Sequence, residues 1–211
     1  MLPFIEPFIS GFAVGFPIAV PVGPMSIWCI QRTLTDGLCT GFIIGFGAAT
    51  AHLIYGSLAF LSMRTLAQAG LFAPYHALLN IVLGSLLIGF AVRILRRRII
   101  MGGGKRISFP GVAAAYVGTL AIGLSNPLTA LYFMVTAPIF TASVPPDDIS
   151  LMLLGITSGS ASWWVTLATG VTLIRRRVTC NGLRLINVAS GLTLGIFGVF
   201  VAGRGLSLLF S

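Results

Sequence analysis

An all-α, polytopic membrane protein of about six transmembrane helices is the fold class this sequence predicts, and three observations predict it. Of its 211 residues, 56% are hydrophobic and only 8% charged, with a mean hydropathy of +1.02. A soluble domain is about 25% charged, so this chain cannot cover its apolar residues with a polar surface. The apolar residues fall into six stretches, 5–31, 38–63, 73–95, 111–137, 149–173 and 185–209, each near the roughly 20 residues a bilayer-crossing helix needs. Two of the stretches, the first and the fourth, carry proline at membrane depth. The whole chain reads as a single domain of residues 1–211 with halves 1–100 and 108–211.

Span one has Glu6 and no early Lys/Arg cluster, so it is expected to be retained rather than cleaved as a signal peptide. Its centre reads Ala19-Val20-Pro21-Val22-Gly23-Pro24-Met25-Ser26, with Pro17 just before. Proline removes a backbone donor and clashes with the preceding turn. Freed carbonyls are costly in lipid, so such a break must be buried in protein or line a wet cavity. Transporters place their sites at broken helices of this kind.

Span two contains His52, the only ionisable side chain well inside a predicted span. Intramembrane ionisable groups are functional candidates, and imidazole titrates near physiological pH. The competing role is a neutral histidine hydrogen-bonded to a neighbouring helix. Span three carries Asn80 near its start and Arg93 at its end. Span four is interrupted at Ser125-Asn126-Pro127 and again at Pro138. Span five carries Trp163 and Trp164, and span six carries Asn187 near its start. The asparagines read first as interhelical hydrogen bonds. Trp163, Trp164 and Tyr132 read first as packing or interfacial anchors.

Leu79-Asn80-Ile81-Val82-Leu83-Gly84 in span three is echoed by Ile186-Asn187-Val188-Ala189-Ser190-Gly191 in span six. At the same offset Gly11 meets Gly118, and with a one-residue slip Pro21 meets Pro127. Two three-span halves must have opposite orientation, which is the inverted 3+3 repeat of many secondary transporters, here with broken helices 1 and 4. Glycines recur four apart at Gly11/Gly15, Gly41/Gly45, Gly155/Gly159 and Gly191/Gly195. Small residues at this spacing let helix backbones approach closely. Packing within one subunit is their first reading, and a homodimer is the alternative.

The net charge of +9 is distributed unevenly. Arg32, Arg93, Arg96, Arg97, Arg98, Lys105, Arg106, Arg175, Arg176, Arg177 and Arg184 lie in or beside connections one, three and five, which makes eleven of the thirteen basic residues. The positive-inside rule puts those connections in the cytoplasm and both termini outside. The same residues can meet anionic lipid headgroups. The third connection is too short and glycine-rich for a nucleic-acid surface.

Other classes of function find little here. Cys29, Cys39 and Cys180 form no CxxC pair, and with two histidines and no acidic cluster no metal or cofactor site is expected. No GxxxxGK[ST] loop is present, so energy would come from an ion gradient. His52 has no identifiable nucleophile or acid partner, so an enzyme is not expected.

The stretch Pro21-Val22-Gly23-Pro24-Met25-Ser26-Ile27-Trp28-Cys29-Ile30-Gln31-Arg32-Thr33-Leu34, followed by Gly37, Gly41 and Gly45-Phe46-Gly47-Ala48-Ala49-Thr50-Ala51-His52, resembles the LysE/RhtB family of amino-acid exporters. Leu124-Ser125-Asn126-Pro127-Leu128-Thr129 resembles the same family. The resemblance implies a six-span transporter of the inner membrane that exports amino acids or small derivatives, coupled to the proton gradient. Many relatives carry Asp where this chain has His52; if that acidic group helps carry protons or a cationic substrate, this chain must do so otherwise or not at all.

Within that reading the substrate-binding candidates are Pro21, Gly23, Pro24 and Ser26 in span one and Ser125, Asn126 and Pro127 in span four. The exposed N–H groups of a half-helix would hold a carboxylate. His52 is the proton-coupling candidate. Glu6, Asp36, Asp147 and Asp148 all lie at span edges, so a dibasic substrate would be desolvated without a buried counter-charge. Neutral amino acids are therefore preferred. The alternatives are a membrane redox conduit, for which Cys29 is suitably placed, and transport of a non-amino-acid solute.

Overall fold

In this chain proline and glycine decide where the helices stop. The computed structural model describes residues 5–21, 24–68, 76–96, 111–141, 144–145, 148–173 and 180–210. They form eight helices and no strand: α1 Ile5–Ala19, α2 Pro24–Asp36, α3 Leu38–Gln68, α4 His76–Arg96, α5 Val112–Leu124, α6 Pro127–Thr141, α7 Ile149–Leu173 and α8 Cys180–Leu209. The protein is all-α and polytopic, as the composition predicts. The arginine runs of connections three and five, from Arg97 to Arg106 and from Arg175 to Arg177, lie outside the described residues.

Among the described residues, four helices are long and apolar enough to cross a membrane by themselves: Leu38–Ser62, Ala77–Arg96, Ile149–Leu173 and Asn187–Leu209. A fifth crossing is available if α5 and α6 act as one span bent by 61°. The first predicted span is divided into α1 and α2. At 15 residues and about 1.5 Å per residue, α1 is too short to traverse roughly 30 Å of hydrocarbon alone. Each break is followed by a proline at the first position of the next helix, Pro24 in α2 and Pro127 in α6. That position tolerates proline because its N–H would have no intrahelical partner anyway. The second interruption expected in span four, at Pro138, does not occur: α6 runs through it to Thr141, as α1 runs through Pro17.

Gly37 separates α2 from α3 with φ +94°, a conformation open to glycine and strained for other residues. The Gly37 N–H still reaches the Thr33 carbonyl at 3.1 Å.

The helices pack through their small residues. Gly11 and Gly15 of α1 face the backbone of Met152 and Ile156 of α7, while Gly155 and Gly159 of α7 face the backbone of Phe8 and Phe12 of α1. The spaced glycines thus serve packing within one subunit. The residue pairing advances along both helices together, so α1 and α7 run parallel. Gly47 beside Tyr116 and Gly123 beside Ala51 show the same for α3 and α5. By contrast, α4 and α8 run antiparallel, with Gly205 beside Ala77, Gly198 beside Ile88 and Gly191 beside Leu95. Likewise α3 and α7 are antiparallel, with Gly41 near Ala168, Gly45 near Trp164 and Gly56 near Ile156.

Two apolar clusters fill the interior. One joins Val14, Phe60, Leu87, Phe133, Ile156 and Val201, and the other joins Trp28, Ile30, Ile44, Ala115, Trp164 and Val171. Large apolar side chains stay exposed on the outer faces, among them Leu78 and Val82 of α4 and Ile196 and Phe200 of α8. These are the surfaces a bilayer would cover.

Candidate functional site

A cavity of about 320 Å³ lies between the two helix breaks, and all eight helices contribute to its walls. This is near the lower end of the roughly 300–1,000 Å³ of small-molecule sites. From the first break come Pro17, Ile18, Ala19, Pro21, Met25 and Ser26. From the second come Gly123, Asn126, Pro127, Leu128, Thr129 and Tyr132. Ala48 and His52 enter from α3, Phe90, Arg93 and Ile94 from α4, Trp164 from α7, and Asn187 and Leu194 from α8.

Of the residues singled out in the sequence, Pro21, Ser26, His52, Asn126 and Pro127 therefore share one cavity. Ser125 does not line it. Its hydroxyl donates to the Ala121 carbonyl at 2.8 Å, closing the last turn of α5. Gly23 lies outside the described residues, and of Pro24 only its place at the start of α2 is described.

Local hydrogen bonds repair both breaks. The Ser26 hydroxyl donates to the Pro21 carbonyl at 3.3 Å, satisfying an acceptor that the interruption of α1 releases. At the second break Asn126 caps α6: its Oδ1 accepts from the Leu128 N–H at 3.1 Å, and its carbonyl accepts from the Thr129 N–H at 3.1 Å. Asparagine is among the preferred residues for this role, and its side chain meets the N–H groups that a helix start leaves open. The first-turn donors expected to hold a carboxylate are thus engaged by Asn126 itself. A ligand at this end meets the Asn126 side chain or displaces it. Tyr55 of α3 also donates its hydroxyl to the Leu124 carbonyl at the end of α5.

His52 is buried, and its Nδ1 lies 2.7 Å from the Ser160 hydroxyl of α7. This is the interhelical hydrogen bond that the sequence offered as the competing role. The imidazole nonetheless faces the cavity, and its ring is 6.0 Å from that of Phe133. Tyr132 donates its hydroxyl to the Val14 carbonyl at 3.0 Å, tying α6 to α1.

Three lining residues carry more polar capacity than sequence reasoning assigned them: Asn187, Arg93 and Trp164, whose buried Nε1 has no hydrogen-bond partner among the described residues. Asn187 donates its Nδ2 to the Ile94 carbonyl at 2.7 Å, while its buried Oδ1 has no hydrogen-bond partner among the described residues. Among the described residues, Arg93 is the one lysine or arginine in the lining, which includes no Asp or Glu. Its sequence signal was a cation just inside the end of a span, which read as an interfacial charge.

A second cavity of about 420 Å³ adjoins the first and shares Pro17, Tyr132 and Leu194 with it. Its further walls are mostly apolar, including Ala13, Phe16, Val20 and Phe197. Cys29 is buried away from both, with its thiol directed to the Gly41 carbonyl at 3.7 Å. No group of His, Cys, Asp and Glu suited to a metal ion occurs among the described residues.

A family model described as LysE type translocator matches residues 16–205. No curated protein and no solved structure matches the chain significantly.

Proposed function

The chain belongs to the LysE type translocator family, and from that premise we propose that it is a secondary transporter exporting amino acids or small derivatives across the inner membrane. The observation that supports this most is the meeting of both helix breaks in one cavity lined from every helix. A scaffold has no use for two interrupted helices, whereas a transporter uses them to bring polar groups to a solute within the bilayer. Its size suits a small solute, and the absence of a carboxylate among the described lining residues favours neutral over dibasic substrates. The adjoining apolar cavity can take an uncharged side chain.

In this reading the two halves form an inverted repeat. The helix directions support it: the pairs α3/α7 and α4/α8 are antiparallel, and α1 along α7 is matched by α5 along α3. These are the relations a two-fold axis in the membrane plane would produce. Alternating access then moves one half against the other around the shared cavity. Pro21, Ser26, Asn126 and Pro127 form part of the substrate path, with Gly23, Pro24 and Ser125 supporting the breaks. His52 couples transport to protons by breaking and remaking its bond to Ser160. No catalysis and no cofactor are involved.

Efflux of labelled amino acids from proteoliposomes, with and without an imposed pH gradient, tests the proposal for wild type and His52→Ala. Gradient-stimulated efflux of neutral amino acids, with the stimulation lost in His52→Ala, is the expected result. Efflux indifferent to both the gradient and the substitution would reduce His52 to packing. Failure to move any amino acid, or arginine efflux as fast as that of neutral substrates, would overturn the substrate assignment.

A further inference from the structure

Asn187 and Arg93 supply the cavity with an acceptor and a cation that the helix breaks do not, and an assignment of their roles rests on the transporter reading above. Among the described residues, the second break has little left to offer a charged ligand. The Leu128 and Thr129 N–H groups are both bonded to Asn126, and Ser26 donates its hydroxyl to Pro21. Asn187, only 2% exposed, is anchored by its Nδ2 donating to the Ile94 carbonyl. A carbonyl only accepts, so the amide nitrogen must face it, and this fixes which end of the side chain is the oxygen. That Oδ1 is buried without a donor among the described residues, in a side chain that lines the cavity. Buried polar atoms of this kind are rare because the desolvated group has lost its water without replacement.

Arg93 of α4, an exposed residue, lines the same cavity and a neighbouring one of about 720 Å³, one residue before the carbonyl that anchors Asn187. No described carboxylate pairs with it; the ion pair among the described residues is Arg32 with Asp36. A guanidinium binds a carboxylate through two parallel N–H···O bonds.

We propose that Asn187 accepts a hydrogen bond from the substrate's ammonium group and that Arg93 holds its carboxylate. The charged ends of the solute are then read by α4 and α8 rather than by the helix breaks. Arg93 also repels a second cation on the solute, which makes the cavity selective for neutral α-amino acids.

The test uses the full-length protein in proteoliposomes, the neutral amino acid it moves fastest, and two competitors. One is the deaminated carboxylic acid of the same skeleton, and the other is the amino acid's carboxamide. Wild type should bind each competitor at least tenfold more weakly than the parent. Asn187→Ala should weaken the parent about tenfold while leaving the deaminated acid within about twofold, so that the preference for the amine collapses. Arg93→Gln should abolish the preference for carboxylate over carboxamide, and Arg93→Lys should restore part of it. Unchanged preferences in both substitutions would overturn the inference while leaving amino-acid transport intact. If Asn187→Ala fails to fold, wild type and Arg93→Gln still decide. Equal competition by the parent and the deaminated acid in wild type, or an unaltered carboxamide preference in Arg93→Gln, would overturn it. A wild type that moves only solutes lacking either charged group would overturn both the inference and the amino-acid reading.

Discussion

His52 and Ser160 are 108 positions apart in sequence and 2.7 Å apart in space. A buried histidine in an apolar bundle needs that partner, because an unpaired polar group away from water costs about 1–3 kcal/mol. Ser160→Ala should therefore lower stability by about 1–3 kcal/mol, and His52→Leu should cost a comparable amount. The double substitution should cost clearly less than their sum, because residues sharing one hydrogen bond are not additive. Reversible unfolding of the four proteins in detergent measures the cycle. Strict additivity would show that the contact carries no energy. Asn187 differs in kind: one end of its amide ties α8 to α4, and the other end is unspent.

Between helices, close approach of backbones does the work that the hydrophobic effect does in water. Lipid tails are as apolar as leucine, so helices associate through packing and interhelical hydrogen bonds. A β-carbon added at Gly159 would sit 2.7 Å from the Phe12 carbonyl oxygen and 2.9 Å from the Phe16 nitrogen. Backbone cannot move aside as a side chain can. Gly159→Val should cost at least about 1–3 kcal/mol, the usual range for overpacking, and should loosen α1 from α7. Gly170 on the same helix has nothing within 4 Å of such an atom. Gly170→Ala should be neutral or stabilising by about 0.5–1 kcal/mol, since alanine loses less entropy in a helix. Melting in detergent compares the two, and equal effects would show that the α1–α7 contact does not depend on glycine. The breaks between helices follow a related economy of groups: Asn126 and Ser26 satisfy nearby backbone locally, so the chain can bend without leaving those polar atoms bare.

At the scale of the whole molecule, the eight described helices surround the cavity between the two breaks and turn apolar side chains outward. Orientation across the bilayer is a property at this scale. With eleven of thirteen basic residues in or beside connections one, three and five, those connections should be cytoplasmic. A reporter active only in the cytoplasm should be silent when fused after Ser211 and active when inserted in connection three. Activity at Ser211 would reverse the topology.

The sequence by itself was enough to read the class of the protein, the two breaks before Pro24 and Pro127, and the family resemblance, but it wrongly added an interruption at Pro138. These are carried by composition and by local covalent chemistry: apolar residues partition into lipid wherever they lie, and proline disfavours continuing a helix, as at the two breaks, although Pro17 and Pro138 are accommodated inside α1 and α6. The glycine spacing was legible for the same reason, because one face of a helix is a matter of local period. The roles of Asn187 and Arg93 were not legible. In the sequence Asn187 is an ordinary interhelical asparagine and Arg93 an ordinary span-end charge. Only the antiparallel packing of α8 on α4 sets the Asn187 nitrogen against Ile94 and leaves its oxygen without a donor. Nor could the sequence show that Asn126 uses up the N–H groups expected to hold a carboxylate, or that Ser125 turns back to close α5. Which end of a polar side chain is spent and which is left depends on distances between residues far apart along the chain, and those distances exist only once the helices have packed.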